Sequence, residues 1–282
     1  MPSMFRAFTL IFSLLCFLGT AFKSSSQNQP IKLSEEAQIS VITFGPYQGE
    51  LWSAFGHNGI RVFDPLLDMD WMYDWGRFDF EQTNFFWDFA RGKMLYSIGR
   101  TQKYPNVKSF YIKQNRSVKE QVLNLSQAEN QAFFNSLEHN NLPENRTYLY
   151  NYVYDNCATK IRDIIQEVVP TATLDLSFKV PKKSVRDLMD DYLSDQPWGD
   201  FIIDVALAHP IDNEASAETY LFLPDYVHLA LEGGTIENIV DTLPLVKDSI
   251  AINVMKNGKY TQSTFDPFNT FVLLFFIVGF VT

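Results

Sequence analysis

The stretch YNYVYDNCATKIRDIIQEVV, residues 150–169, contains the change of periodicity on which the fold turns. Up to Asp155 the pattern alternates, with Tyr150, Tyr152 and Tyr154 on one side, as in a strand. Beyond it Ala158, Ile161, Ile165 and Val168 fall three to four residues apart, which makes one face of a helix, and Pro170 stops that helix. Asp155 and Asn156 are both favoured N-cap types, so Cys157 is expected in the first helical turn. Unpaired N–H groups and the macrodipole at that end favour a thiolate over a thiol. The same N–H groups suit a developing oxyanion, with Asn156 and a tyrosine such as Tyr154 as further candidates beside it.

Upstream of this switch the chain reads as strands. QISVITFG (38–45), HNGIRVFD (57–64), MDWMYDWG (69–76), MLYSIGRTQ (94–102), VKSFYIK (107–113) and VKEQVLNLS (118–126) are short, β-branched and aromatic, and Gly, Pro or Asp punctuate them. SQAENQAFFNSLEHN (126–140) begins with a Ser cap and has Glu129 three residues on, a capping-box pattern that predicts a helix. SVRDLMDDYLSDQ (184–196), GDFIIDVALAH (199–209) and DYVHLALEG (225–233) are further helical candidates. The class expected is α+β, an antiparallel sheet with helices packed on it.

A chain of 282 residues with 46% hydrophobic content can bury a core. Its net charge of -10, with Lys and Arg scattered, argues against a nucleic-acid groove. Residues 1–22 have Arg6 before the apolar run 8–22, the layout of a signal peptide or signal anchor. Residues 23–37 read as a polar linker, and a folded domain is expected over 38–260. FNTFVLLFFIVGFVT (268–282) reads as the start of a transmembrane helix within 266–282, cut short of the roughly 20 residues that span a bilayer.

Of the two cysteines, Cys16 lies inside the leader, so Cys157 is the only thiol expected in the mature chain. A nucleophilic thiol needs a base. His57, in SAFGHNGIRVFD (53–64), sits between Gly56 and Gly59 at the mouth of a strand, where small neighbours leave room for a substrate. His139, His209 and His228 read as helix-surface or packing residues. Asp74 is the choice to orient the imidazole, because a strand paired beside that of His57 would bring it within reach; Asp64, Asp68 and Asp70 compete. The sequence has no HExxH, CxxC or Gly-rich phosphate loop, so no metal and no cofactor is expected. The aromatic-rich stretch from Trp71 to Phe89 suits either a small β core or an acyl groove at a membrane interface.

Taken together, SAFGHNGIRVFD, YDWGRFDF (73–80) and YNYVYDNCATKIRD (150–163) resemble the N-terminal periplasmic domain of the Lnb-type lipoprotein N-acyltransferases of Bacteroidetes, over about residues 38–250. The resemblance implies a circularly permuted papain-like fold, in which the histidine strand precedes the cysteine helix, as also in lecithin:retinol acyltransferase. It implies Cys157 as nucleophile, His57 as its partner and, more weakly, Asp74. The implied reaction moves a fatty acyl chain from a phospholipid donor through a thioester to the α-amino group of a lipoprotein acceptor. The implied location is the inner membrane, with the domain on the periplasmic side. Two other readings fit the same residues: a cysteine peptidase or amidase on this scaffold, and a non-catalytic module in which Cys157 is buried and inert.

Overall fold

In the computed structural model, residues 30–281 are described apart from 80, 85, 86, 89, 90, 179–181, 239 and 256–265. The leader expected over 1–22, and the aromatics Phe80, Phe85, Phe86 and Phe89, lie outside the described residues.

Alternation builds the central sheet. Strands β1 (Gln38–Phe44), β2 (His57–Asp64), β3 (Met69–Arg77), β4 (Leu95–Thr101), β5 (Val118–Leu123), β6 (Thr147–Leu149) and β10 (Val246–Asn253) pair antiparallel in the order β10-β5-β1-β2-β3-β4-β6. Side chains of a strand alternate between faces. Ile39 and Val41 therefore join Ile60, Val62, Tyr73 and Trp75 in one core, while Ile42 and Phe44 join Met72 and Val118 in a smaller one. Between these strands run α1 (Tyr104–Lys113), α2 (Gln127–Asn140) and α3 (Cys157–Val168). A small sheet of β7 (Ala172–Thr173), β8 (Thr235–Glu237) and β9 (Thr242–Pro244) adjoins them, with α4 (Val185–Leu193), α5 (Pro197–Leu207) and α6 (Pro224–Glu232) along the chain between β7 and β8. The antiparallel α+β class is as expected.

Helices α2 and α3 start where the sequence places them. Ser126 caps α2 in a capping box with Glu129, and Asn156 caps α3 through the N–H groups of Ala158 and Thr159. Ala158, Ile161, Ile164 and Ile165 face the larger core and are buried, whereas Val168 at the far end is only partly so. VKSFYIK differs from expectation: it lies in α1, not in a strand. Pro105 opens that helix, and Val107 and Tyr111, four residues apart, pack on the smaller core. The alternating tyrosines also depart from a strand. β6 ends at Leu149, and Asn151 and Asp155 close a turn with reciprocal backbone hydrogen bonds of 3.0 Å.

The folded region starts before the expected boundary at Gln38. Leu33 and Ala37 are buried in the larger core. Gln127 donates to the carbonyls of Leu33 (2.7 Å) and Ser34 (2.8 Å), and Gln131 accepts from the Leu33 N–H at 2.8 Å, which straps residues 33–37 onto α2. Polar composition hid a single apolar anchor. At the other end α7 (Pro267–Val281) is apolar, but among the described residues no helix is long and apolar enough to cross a membrane. At a rise of about 1.5 Å per residue α7 reaches about 22 Å, against a hydrocarbon core of about 30 Å.

Ile161→Ala, which empties the face by which α3 grips the sheet, is expected to cost about 2–5 kcal/mol of folding stability in urea denaturation. The exposed Lys182→Ala should stay within about 0.5 kcal/mol of the unsubstituted chain.

Candidate active site

Cys157 is the first residue of α3, and Asn156 fixes its position. The Asn156 carboxamide oxygen accepts from Ala158 N–H (2.8 Å) and Thr159 N–H (3.0 Å), and its Nδ2 donates to the carbonyls of Tyr152 and Phe222, both at 2.8 Å. All four hydrogen-bonding sites of that side chain are engaged. Its side chain is thus committed to positioning the head of α3, while the residue also lines the cavity beside Cys157. The carbonyl of Phe222 belongs to the segment TYLFLP (219–224), for which the sequence offered no role. Asp212 and Ser216 are local as well: Asp212 accepts from Arg186 Nε at 2.7 Å, and the Ser216 hydroxyl lies 2.8 Å from that of Thr219.

His57 opens β2, and the residue before it must be glycine. Gly56 has φ +87°, and a Cβ there would meet the Phe44 carbonyl oxygen at 2.7 Å. Gly59 pairs with Asp74 across β2 and β3, so His57 and Asp74 project from the same face two residues apart in register. Their side chains meet, with His57 Nε2 3.2 Å from Asp74 Oδ2. Asp74 also accepts from Arg77 Nε at 2.6 Å. The competing aspartates are taken elsewhere. Asp64 caps the turn 65–67 and accepts from Ser34 N–H at 2.7 Å, Asp70 pairs with Arg61 at 2.6 Å, and Asp68 has φ 51° in the turn before β3.

Nε2 is taken by Asp74, and His57 and Cys157 line one cavity, close enough that the charge of each shifts the other's pKa. The backbone N–H of Asn58 also helps to lower the thiol's pKa. Sequence reading missed this influence, which needs the start of β2 and the head of α3 brought together. Behind the imidazole, Tyr111 of α1 stacks on it with ring centroids 6.5 Å apart, and the Arg116 guanidinium lies 4.5 Å over Tyr111. Arg116 is buried and donates to the Gly45 carbonyl at 2.7 Å, so this stack is anchored in the sheet.

The electrostatics favour an ion pair. Burial alone pulls the His57 pKa down, but Tyr111 and the charge on Cys157, with hydrogen bonding to Asp74 and Cys157, raise it well above the ordinary imidazole value. Burial pushes the Cys157 thiol up, and the charge and hydrogen bond of His57 with the Asn58 N–H bring it below its ordinary value, against a smaller opposing push from Asp74. Burial likewise raises Asp74, while the His57 bond and charge and the Arg77 guanidinium hold it below the usual carboxylate range. Thiolate and imidazolium are the forms these shifts select.

Cys157 is partly exposed and borders a cavity of about 290 Å3. His57, Asp74 and Gly56 line it too, with an aromatic rim that includes Trp52, Phe78 and Phe110. Tyr150 and Tyr152 face this cavity, whereas Tyr154 does not and is largely exposed. Gly76, at φ +95°, stands beside the thiol, and a Cβ there would lie 3.9 Å from that of Cys157. Among the described residues, Asp190, Asp200 and Asp204 bring carboxylate oxygens within 4.8 Å of one another. Arg186 engages Asp204, so a guanidinium already offsets part of that cluster's charge, and burial with the neighbouring charges of Asp200 and Asp204 raises Asp190 to about 6.

A thiol at a helix N-terminus that shares a cavity with a carboxylate-backed imidazole is the arrangement thiol-dependent enzymes use. The chain belongs to the family of Lnb N-terminal periplasmic domains, whose family model matches residues 31–191. That family is periplasmic, which places the domain in the cell envelope. No curated protein matches the sequence. Among solved structures, the type VI secretion system effector TseH is 15% identical, covering 52% of this chain and 83% of its own, with a TM-score of 0.33.

Alkylation of Cys157 by iodoacetamide should proceed below the pH at which an ordinary thiol ionises, and should fall only as pH drops through the lowered thiol pKa. His57→Ala removes the largest lowering influence, so its alkylation should follow an ordinary or raised thiol titration and slow at neutral pH. Rate measurements across pH check both. Equal profiles for the two proteins would contradict the ion pair.

Proposed function

We propose that this domain is a membrane-associated, thiol-dependent acyltransferase that moves a fatty acyl chain from a phospholipid to the α-amino group of a lipoprotein's N-terminal cysteine. The observation that carries the reading is that Cys157, at the head of α3, lines one cavity with His57 and the Asp74 that holds it, in a chain of the Lnb family. The order of the two, histidine strand before cysteine helix, agrees with a circularly permuted papain-like fold. The apolar α7 supports attachment at the inner membrane with the domain on the periplasmic side.

The thiolate of Cys157 attacks the ester carbonyl of the donor. The tetrahedral oxyanion forms next to the first turn of α3, where the Cys157 N–H points with the positive end of the helix. The C–O bond breaks, the imidazolium of His57 gives its proton to the departing lysophospholipid oxygen, and a thioester remains. In the second half the acceptor amine attacks the thioester carbonyl, His57 takes the amine proton, and the C–S bond breaks to regenerate the thiolate. Asp74 holds the imidazole through Nε2 and stabilises its charged form. Two moderate steps replace one hard one.

Expression in membranes of a cell depleted of its own lipoprotein N-acylation tests this, with the N-terminus of a reporter lipoprotein read by mass spectrometry. The unsubstituted chain should add an N-linked acyl group. Cys157→Ala should add none, and His57→Ala should lower the rate about 10²–10⁴-fold. Absence of the group from every protein, with Cys157 still reactive to alkylation, would overturn the transferase and favour a peptidase or amidase. A Cys157 that resists alkylation in the folded chain would favour the non-catalytic module.

A further inference from the structure

A second cavity, also of about 290 Å3, lies on the other side of Tyr150 and Tyr152. Those two residues, whose rings meet edge to face with centroids 5.4 Å apart, line both cavities, so the cavities adjoin at them. The rest of the second cavity is almost wholly apolar: Val153, Val185, Ile202, Ile203, Leu207 and Ile211 supply most of it. No charged side chain lines it. Its one carboxamide, Asn151, has its oxygen engaged by the N–H groups of Val153 and Tyr154, at 3.0 and 2.9 Å. With no charged side chain in the lining, a charged occupant would lose its hydration here without a counter-charge. The volume, just under the usual lower bound of about 300 Å3 for small-molecule sites, suits a slender group.

The cavity also has an outer side. Ile202 and Ala206 of α5 are exposed at its margin, and Tyr154 is exposed beside them. The same helix turns Trp198 and Phe201 toward the apolar α7, where Phe201 and Phe271 approach with ring centroids 5.5 Å apart. One helix thus forms a wall of the cavity and meets the most apolar segment of the chain. The outer side therefore lies next to the surface best suited to lipid.

Building on the acyl-transfer reading, we propose that this second cavity holds the alkyl chain of the acyl group. The ester or thioester carbonyl sits at Cys157 in the first cavity, and the chain passes Tyr150 and Tyr152 into the second. The cavity then sets which chain lengths the thiol accepts, since a wall placed along an apolar channel excludes long chains and spares short ones. Tyr150 and Tyr152 act here as a threshold between a polar reaction space and a dry one.

Ala206→Trp narrows the cavity from its exposed margin, where the fold tolerates a larger side chain, and Ala206→Ser is its conservative partner. The full chain is incubated with vesicles of dipalmitoyl or dispersions of dioctanoyl phosphatidylethanolamine, and the acyl mass on Cys157 is read by intact-protein mass spectrometry. Palmitoyl loading should fall at least about tenfold in Ala206→Trp, with octanoyl loading unchanged and Ala206→Ser like the parent. A second readout does not need the chemistry: palmitate binding by calorimetry to Cys157→Ala, with and without Ala206→Trp. Loss of palmitate binding on adding Ala206→Trp supports the cavity even if no thioester forms in any protein, a result that would sink the acyl-transfer reading alone. Palmitoyl loading that is indifferent to Ala206→Trp, or loss of both chain lengths equally, overturns the cavity and leaves the transferase standing. Neither binding nor loading overturns both.

Discussion

The site depends on one side chain with no spare hydrogen-bonding capacity. Asn156 ties the head of α3 to the turn before it through Tyr152, to the 3-10 turn at 219–222 through Phe222, and to its own helix through Ala158 and Thr159. The sulfur of the next residue is placed by these four bonds together with the apolar face of α3. A helix start held from both sides cannot fray, so the cysteine keeps its distance from β2. That rigidity is what lets a contact with His57 persist as geometry rather than as a passing encounter.

Given the placement, charge does the rest. An unpaired thiolate or imidazolium would be costly in a partly buried site, and each removes the cost of the other. Asp74 extends the pair to a third charge of the right sign, and Arg77 and Thr101 hold that end, Arg77 donating to both. Gly76, at φ +95°, keeps the space beside Cys157 clear of a Cβ, and Gly56, at φ +87°, lets the chain pass the Phe44 carbonyl. Tyr111 stacked on the imidazole, with Arg116 over Tyr111, makes one wall of the cavity beside His57.

Much of this was legible in the sequence because it rests on local rules. The caps at Ser126 and Asn156 and the helical spacing of α2 and α3 are set within a few residues. So is the alternation of β1, β2 and β3. Asp74 followed from strand pairing, since neighbours in the sheet also neighbour in the chain. What was hidden is non-local. Strand propensity in VKSFYIK lost to Pro105 and to the apolar spacing of Val107 and Tyr111 against the sheet. Tyr150 and Tyr152 reach the site from a turn, not a strand, and Tyr154 points away from the thiol. Leu33 gives no pattern by itself, and only the glutamines of α2 reveal why it is ordered. Nothing in TYLFLP announces that its Phe222 carbonyl anchors the head of α3.

The central claim is that Cys157 carries the acyl group, and it is tested most directly on the cysteine itself. The chain would be isolated from membranes that contain phospholipid but lack a lipoprotein acceptor, and the peptide spanning residues 150–163 examined by mass spectrometry before and after neutral hydroxylamine. One fatty acyl group on Cys157, removed by hydroxylamine, is the predicted result. A free Cys157 that alkylates readily yet bears no acyl group under those conditions would contradict the account.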